Sequence, residues 1–190
     1  MLDGKRVQLL ALESEHAEEL FACAKYPEIW TYLPTKVESL EDMNDLIQKA
    51  LNARASGTEY PYAVYDKLLK KIVGSTRLLG ISEENKNFEI GWTWYSPEVW
   101  RTRVNTECKY ELMRYGFEQF QAVRIQLKAD ERNTRSNQAI ERLGATKEGV
   151  LRQDRILSDG FIRNACMYSI IRSEWPAVKQ KLEGYLKDEA

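Results

Sequence analysis

Three strand-like runs in close succession are the feature of this sequence that most restricts its fold. They are rich in β-branched and aromatic residues and cover Tyr60–Asp66 (YPYAVYD), Ile72–Ile81 (IVGSTRLLGI) and Phe88–Tyr95 (FEIGWTWY). Short polar segments, at Asp66–Lys71 and Ser82–Asn87, separate them. Runs of this kind, joined by short polar turns, predict an antiparallel meander in the middle of the chain.

The segment before the meander carries one strand signal and two helix signals. Lys5–Leu12 (KRVQLLAL) predicts an opening strand. Ser14 is the predicted N-cap of a first helix, because acidic residues and an apolar face at helical spacing follow it. Ser39 and Asp42 resemble a capping box, which predicts a second helix that Gly57 closes.

The segment after the meander alternates between helices and strands. The predicted elements are a long helix from about Thr102 to Phe120, a strand Ala122–Ala129, a short helix Thr134–Leu143 closed by Gly144, strands Val150–Leu157 and Phe161–Ile171 around the turn Ser158-Asp159-Gly160, and a helix from about Ser173 to Lys187. The predicted order is β-α-α-β-β-β-α-β-α-β-β-α. Strands that come as hairpins with helices between them predict an α+β fold with a mixed sheet. With no internal repeat or linker, we expect one domain over residues 1–190.

Charge and hydropathy exclude several classes of protein. The formal net charge is −1 and no segment forms a basic stripe, so we expect no nucleic-acid partner. No run approaches the roughly 18 consecutive apolar residues that a membrane span requires. The opening residues 1–12 lack the features of a secretion signal. We therefore expect a cytoplasmic protein that does not bind membranes.

Cysteine and histidine content argues against two kinds of site. The three cysteines, Cys23, Cys108 and Cys166, are odd in number and far apart. This pattern fits free thiols better than a disulfide framework or a zinc site. The single histidine, His16, is predicted to lie on the surface of the first helix. We therefore expect no metal site and no Ser-His-Asp triad.

The stretch from Glu89 to Glu107 (EIGWTWYSPEVWRTRVNTE) carries the first functional signal. A strand ends there, a short loop follows and a long helix begins. The free N–H groups of a helix N-terminus and its dipole favour an anion such as phosphate. Many strand-loop-helix units bind nothing, so this signal is weak by itself.

The second signal lies between Asp130 and Gly149 (DERNTRSNQAIERLGATKEG). Asn133 and Ser136 are three residues apart where a strand gives way to a helix, a spacing that turns both side chains in the same direction. The alternative interpretation is an ordinary asparagine N-cap followed by an ordinary helical serine.

Taken together, these stretches resemble the GNAT superfamily of N-acetyltransferases, and within it the ribosomal-protein N-terminal acetyltransferase (Rim-type) branch. The resemblance also includes KRVQLLAL near the start and MYSII and SEWPAVK near the end. It implies a twisted mixed sheet that splays between the fourth and fifth predicted strands, with acetyl-CoA in the split. The family's Asn-x-x-Ser pattern before a short helix matches Asn133 and Ser136.

The resemblance also implies positions for the coenzyme. The pantetheine arm would pair with the backbone around Trp94 and Tyr95, and Asn133 would help to hold it. Ser136 would lie close to the sulfur. The pyrophosphate would bind the loop that consists of Trp100, Arg101, Thr102, Arg103, Val104, Asn105 and Thr106.

Amine acetylation requires a group that accepts a proton, because amines are largely protonated at neutral pH. Glu89 is the candidate base, since it precedes the loop at the separation found in some family members. The alternative is that Glu89 forms an ordinary cross-strand pair. Ser136 is the candidate donor to the departing thiolate. Backbone N–H groups of the splayed strand would stabilise the oxyanion.

The sequence departs from the family pattern at five places. Trp100 stands where the family has Gln or Arg. Arg103 and Asn105 stand where the family has small residues, and Arg101 stands where close relatives often have glycine. A non-glycine residue in left-handed geometry costs about 1–2 kcal/mol, although arginines could pair with phosphate. Asn164 stands where Rim-type relatives usually carry Asp. Two hypotheses therefore stand: an active acetyltransferase, and a degenerate member that binds CoA or a partner without turnover.

The acceptor amine is not determined by the sequence. A protein N-terminus, a polyamine, an amino acid or an antibiotic would each fit. Tyr26, Trp30, Tyr32 and Trp92 are aromatic candidates for an acceptor cleft, with core packing as the alternative. Many relatives form dimers, and the sequence does not decide whether this chain is a homodimer.

Overall fold

An eight-stranded mixed sheet forms the centre of the computed structural model, which describes residues 1–187. The strands in chain order are Leu2–Asp3 (β1), Val7–Ala11 (β2), Glu59–Asp66 (β3), Lys71–Ser82 (β4), Asn87–Tyr95 (β5), Arg124–Asp130 (β6), Thr146–Ile156 (β7) and Ile162–Ile171 (β8). Their order across the sheet is β1-β2-β3-β4-β5-β6-β8-β7. All neighbours are antiparallel except β5 and β6, which are parallel. The predicted α+β class and the meander are confirmed.

Helices cover both faces of this sheet. They are Ala17–Cys23 (α1), Pro27–Trp30 (α2), Leu40–Ala55 (α3), Val104–Arg114 (α4), Thr134–Leu143 (α5) and Trp175–Lys187 (α6). The first three bury one apolar cluster against one face of the sheet, and α4, α5 and α6 bury the larger cluster against the other. β5 contributes Phe88 and Ile90 to the α4 side. The irregularity at Trp92 shifts the alternation by one residue, so Tyr95 packs on the α4 side and Trp94 packs on the opposite side.

The N-terminal region differs from the prediction in three details. The two-residue β1 and the four-residue α2 were not predicted, because elements this short carry no periodic pattern. Ser14 as N-cap is wrong: Ser14–His16 is a 3₁₀ turn that begins after Glu13. Glu13 and His16 form a reciprocal capping box in which Nδ1 of His16 accepts the Glu13 amide at 3.1 Å. His16 is half-buried.

The long helix predicted to reach Phe120 changes its winding partway. The α-helix ends at Arg114 and a π-turn covers Tyr115–Gln119. Within this turn Gly116 packs closely against the sheet, where an added Cβ would meet Ile125 Cδ1 at 2.5 Å. The capping box of α3 at Ser39 and Asp42, and the left-handed Gly144 after α5 (φ 102°), agree with the predictions.

A gap opens inside the sheet where β5 and β6 part. Four residue pairs join these strands, from Asn87–Arg124 to Ile90–Leu127. Beyond them, residues 91–95 of β5 and 128–130 of β6 are not paired with each other. The backbone of Trp92 has a φ of 48°, and the register between β4 and β5 shifts at this point. The split expected between the fourth and fifth predicted strands is therefore present.

Candidate functional site

The open edge of β5 presents backbone groups to the gap. The Ser96 amide donates to Val73 O of β4 at 2.8 Å. On the opposite side of the strand, Trp100 Nε1 donates to Tyr95 O at 2.9 Å. Because backbone groups of successive strand residues point to opposite sides, Thr93 and Tyr95 turn theirs toward the gap, and Trp94 turns its own toward β4. The predicted strand is thus in place, with Thr93 and Tyr95 as the residues that offer backbone contacts.

The loop between β5 and α4 ends in a helix N-terminus with free amides. Thr102 Oγ1 accepts the Val104 amide at 3.3 Å and donates to Val99 O at 2.8 Å. In residues 1–187, no acceptor receives the amides of Arg101, Asn105 or Thr106. Unsatisfied N–H groups at the start of a helix are suited to an anion. The loop predicted to hold pyrophosphate has the donors that this role requires.

The two arginines of this loop have different geometry. Arg101 adopts a left-handed φ of 62°, as expected for a position where relatives have glycine. Arg103 has a helical φ of −66° and carries no such strain. Its Nε donates at 3.0 Å to Glu107 Oε2, and the Glu107 side chain is only 2% exposed. The other carboxylate oxygen of Glu107 accepts the amides of Arg6 and Val7 at 2.8 and 3.3 Å. Arg103 therefore helps to fix the loop to the N-terminal strand, and phosphate binding by Arg103 stays a prediction.

The N-terminus of α5 forms the other side of the gap. Asn133 Oδ1 accepts the Ser136 amide at 3.0 Å, so Asn133 is the N-cap of this helix. Ser136 is half-buried. The guanidinium of Arg135, between them, lies 3.8 Å from the centre of the Trp100 ring. The structure thus brings together the two stretches that the sequence singled out.

Glu89 lies beside the last rung that joins β5 to β6. It is half-buried, and its Oε2 accepts from Gln126 Nε2 of β6 at 3.0 Å. This partner across the strands is a neutral amide and not a cation. The role of Glu89 as a base stays a prediction.

Lys109 is a residue near the gap that was not singled out from the sequence. It is 5% exposed, and its Nζ donates to Thr93 Oγ1 at 2.6 Å. Burial lowers the pKa of Lys109 to about 8. The available signal was a lysine beside Cys108, between the buried Val104 and Leu112 of the helix.

A cavity of about 640 Å³ lies on the α1 side of the sheet. It is lined by aromatic and aliphatic side chains, with lysines and acids also present: Phe21, Lys25, Trp30, Val37, Leu157 and Asp159 among others. The ring of Trp30 also lies 5.4 Å from the ring of Trp94, which belongs to the strand that borders the gap. Its position makes it a candidate site for an acceptor.

The four aromatic candidates for an acceptor cleft are dispersed. Of these, Trp30 lines the 640 Å³ cavity. Tyr26 lines a smaller depression, and Trp92 stacks with Arg77 at 4.6 Å. The Tyr32 ring lies 5.6 Å from Arg132. Among the described residues, no group of three His, Cys, Asp or Glu side chains could hold a metal ion, and no helix could span a membrane.

Comparison with known families gives this geometry a name. The family model described as the acetyltransferase (GNAT) domain matches residues 6–146. The chain belongs to the GNAT acetyltransferase family. It is therefore an N-acetyltransferase enzyme by family, and enzymes of the GNAT fold use acetyl-CoA.

Individual relatives agree with this assignment. The uncharacterized N-acetyltransferase YoaA of Bacillus subtilis is 26% identical over 173 residues, which cover 90% of this chain and 97% of YoaA. The structure of a GCN5-related N-acetyltransferase from Brucella melitensis has a TM-score of 0.90 and 29% identity, over 97% of this GNAT chain and 84% of that one. The microcin C7 self-immunity acetyltransferase MccE, in complex with acetyl-CoA and AMP, has a TM-score of 0.76 and 24% identity over 88% and 93% of the two chains. At that identity the likeness to MccE concerns the fold.

Proposed function

We propose that this GNAT protein transfers the acetyl group of acetyl-CoA to a primary amine, either a protein N-terminus or a small-molecule amine, by direct attack. The observation that carries the proposal is the gap itself: β5 and β6 part after Ile90–Leu127, next to a helix N-terminus with free amides. The gap offers hydrogen-bonding backbone along its length and anion-binding donors at its end. The order of motifs along the chain supports the Rim-type branch as the closer affiliation.

The residues present fit coenzyme A. The free amides of Asn105 and Thr106 would hold the pyrophosphate at the start of α4. The backbone of Thr93 and Tyr95 would pair with the pantetheine arm, and the Asn133 amide group would contact it from the opposite side of the gap. Trp100 and Thr102 shape the loop between these two regions.

The chemistry would be divided among a few groups on both sides of the gap. Glu89 would take the proton of the attacking amine, directly or through water, as the N–C bond forms and the C–S bond breaks. The β5 backbone would donate to the oxyanion. Ser136 would donate a hydrogen bond to the departing sulfur. The acceptor would enter from the cavity beside Trp30, on the side of the sheet to which Glu89 belongs.

Binding without turnover is the second candidate, and two features of the loop favour it. Arg101 occupies a left-handed position that suits glycine. The indole of Trp100 already donates to the Tyr95 carbonyl, so a pantetheine amide would have to share this acceptor with it. Each feature would lower the affinity for the coenzyme or place its thioester poorly for reaction.

One experiment separates these candidates. The protein is titrated with acetyl-CoA and with CoA by calorimetry, and free thiol is then measured with acetyl-CoA and a panel of peptides, polyamines and amino acids. Thiol release that depends on an amine is the result we expect. Binding without release for every amine would support the second candidate, and the absence of any binding would overturn both.

A charge placed at the start of α4 tests the position of the pyrophosphate. Asn105→Asp adds an anion where the helix dipole favours it, so the folded protein should gain about 0.3–1 kcal/mol. The same carboxylate should repel the pyrophosphate and weaken CoA binding at least tenfold. Ala177→Asp is the matched control, because Ala177 lies exposed in the first turn of α6, which has no acidic residue. It should give the stability gain and leave CoA binding unchanged.

A further inference from the structure

Lys109 is a buried cation without an ion pair. Its Nζ donates at 2.6 Å to Thr93 Oγ1, which lies 2.8 Å from Thr76 Oγ1 of β4. None of the ion pairs formed among residues 1–187 includes Lys109. Thr93 belongs to the part of β5 that has lost its pairing with β6.

This arrangement is costly for folding. A charged group removed from water loses hydration that one hydroxyl cannot replace, and an apolar side chain of similar length would fill the same space without that loss. Buried ionisable groups of this kind concentrate at functional sites. The position beneath the open edge of β5 is where a positive charge would act on a thioester held in the gap.

We propose that Lys109 is a positioning residue for acetyl transfer: through its hydrogen bond to Thr93, it holds the bulged edge of β5 in place and sets a positive charge under the oxyanion. The inference rests on the proposed function. Lys109 contacts Thr93 and not the gap directly, so its effect passes through the Thr93 side chain to the Thr93 backbone, which faces the gap. A fixed donor and a nearby charge assist most when negative charge develops on the reacting oxygen.

The groups around Lys109 define when it is charged. The Glu89 carboxylate on β5 and the Cys108 thiol on α4 are the titratable groups that act on it. The charged groups on the other neighbouring elements already have partners of their own. On α6, Glu183 accepts a hydrogen bond from Tyr110; on β1, Asp3 pairs with Lys67; and on β4, Arg77 pairs with Glu59. On α4 itself, Glu107 pairs with Arg103 and Glu111 pairs with Arg114. Burial lowers the pKa of Lys109 to about 8, so the ammonium is present at neutral pH and is lost as the pH rises further.

The test compares Lys109→Met with Thr93→Val and Thr93→Ser. We expect Lys109→Met to lower kcat at least tenfold while KM for acetyl-CoA and CoA affinity change less than threefold. Thr93→Val should have a similar effect, and the double variant should be no slower than the worse single variant. Thr93→Ser keeps the hydroxyl and should retain most of the activity. Lys181→Met, an exposed lysine on α6, is the matched control and should leave kcat unchanged.

The pH profile distinguishes this role from a merely structural one. Wild-type kcat should fall as the pH rises through about 8, where the charge is lost. The arginine of Lys109→Arg keeps its charge, so kcat of this variant should stay constant up to a higher pH. In Lys109→Met, kcat should not fall in this pH range.

The outcomes separate the two proposals. A wild type that turns over, with Lys109→Met equal to it in kcat and pH profile, would overturn the role of Lys109 and leave the proposed function intact. Equal loss of kcat and CoA affinity in Lys109→Met and Thr93→Ser would also overturn it, since that result indicates general disruption. A wild type that binds CoA without turnover overturns both.

Discussion

The guanidinium of Arg135 lies 3.8 Å from the centre of the Trp100 ring, across the gap between β5 and β6. Trp100 belongs to the loop before α4, and Arg135 belongs to the first turn of α5. Since Trp100 also donates to Tyr95 O, this stack connects the strand, the loop and the second helix. Trp100 and Arg135, which are 35 residues apart in the sequence, therefore meet in the fold.

Removal of this stack should loosen the loop. A cation–π pair near the surface contributes about 0.5–1 kcal/mol, so Arg135→Ala should lower stability by that amount. Because the loop of this variant is less ordered before CoA binds, the affinity for CoA should fall about three- to fivefold. This fold-change corresponds to the same range of free energy as the loss of stability. Calorimetry and chemical denaturation measure the two effects.

Arg142 supplies a matched control on the same helix. Its guanidinium lies 4.5 Å from the Tyr185 ring, away from the gap. Arg142→Ala should lose similar stability and keep its CoA affinity. Equal affinity losses in both variants would contradict a specific effect on the loop.

Arg101→Gly should stabilise the fold. The residue has a φ of 62°, which costs a non-glycine residue about 1–2 kcal/mol. Glycine removes this strain but loses more backbone entropy on folding, so we expect a net gain of about 0.5–1 kcal/mol in chemical denaturation. Arg103→Gly, at a helical φ and with the Glu107 pair removed, should lose stability instead. A loss for Arg101→Gly would show that its side chain makes contacts that outweigh the strain.

Because Lys109 is buried, we expect the free energy of unfolding to change with pH in the alkaline range. Its pKa is about 8 in the fold and 10.5 in the unfolded chain, so the unfolded state binds more protons between these values. Wild-type stability should therefore rise with pH across this window relative to Lys109→Met. Urea denaturation at intervals from pH 7 to about 10.5 measures the difference between the two proteins. Parallel curves would mean that Lys109 is hydrated in solution.

Asn164→Asp tests the departure from the Rim-type pattern. Asn164 Oδ1 accepts the Gln153 amide at 2.9 Å, and its Nδ2 donates to Glu131 Oε2 at 3.0 Å. An aspartate keeps the first contact, loses the second and places two carboxylates together. We expect a loss of about 1 kcal/mol in thermal or chemical denaturation. Addition of Glu131→Gln should restore most of it, because the new amide can donate to the aspartate; failure of this rescue would assign the loss to another contact.

Local patterns predicted most of the fold, and the predictions failed where an element is very short or where tertiary packing is involved. The capping box at Ser39 and Asp42 and the glycine at Gly144 mark helix ends through backbone hydrogen bonds, which sequence reports directly. The change to a π-turn after Arg114 has no such local mark, and Gly116 within that turn packs against Ile125 through a tertiary contact. Elements of two to four residues, such as β1 and α2, are too short to show a period.

The site was only partly accessible from the sequence. Asn133, Ser136 and the strained Arg101 follow from motif and backbone geometry. Lys109 could not be assigned, because its meaning depends on Thr93 and on the place where β5 leaves β6. The ion pair between Arg103 and Glu107 was also not predicted from the sequence. Its buried setting depends on the N-terminal segment, which lies beside the start of α4 and donates the Arg6 amide to Glu107.

In the described part of the chain, four residue pairs of the β-ladder join the two half-sheets, β1–β5 and β6–β8, at the border between β5 and β6. A coenzyme bound along this border would contact residues of both half-sheets at once. In the free protein, hydrogen exchange should then be fastest at the amides beside this border. Bound coenzyme should slow their exchange, so that the two half-sheets open together as a single unit.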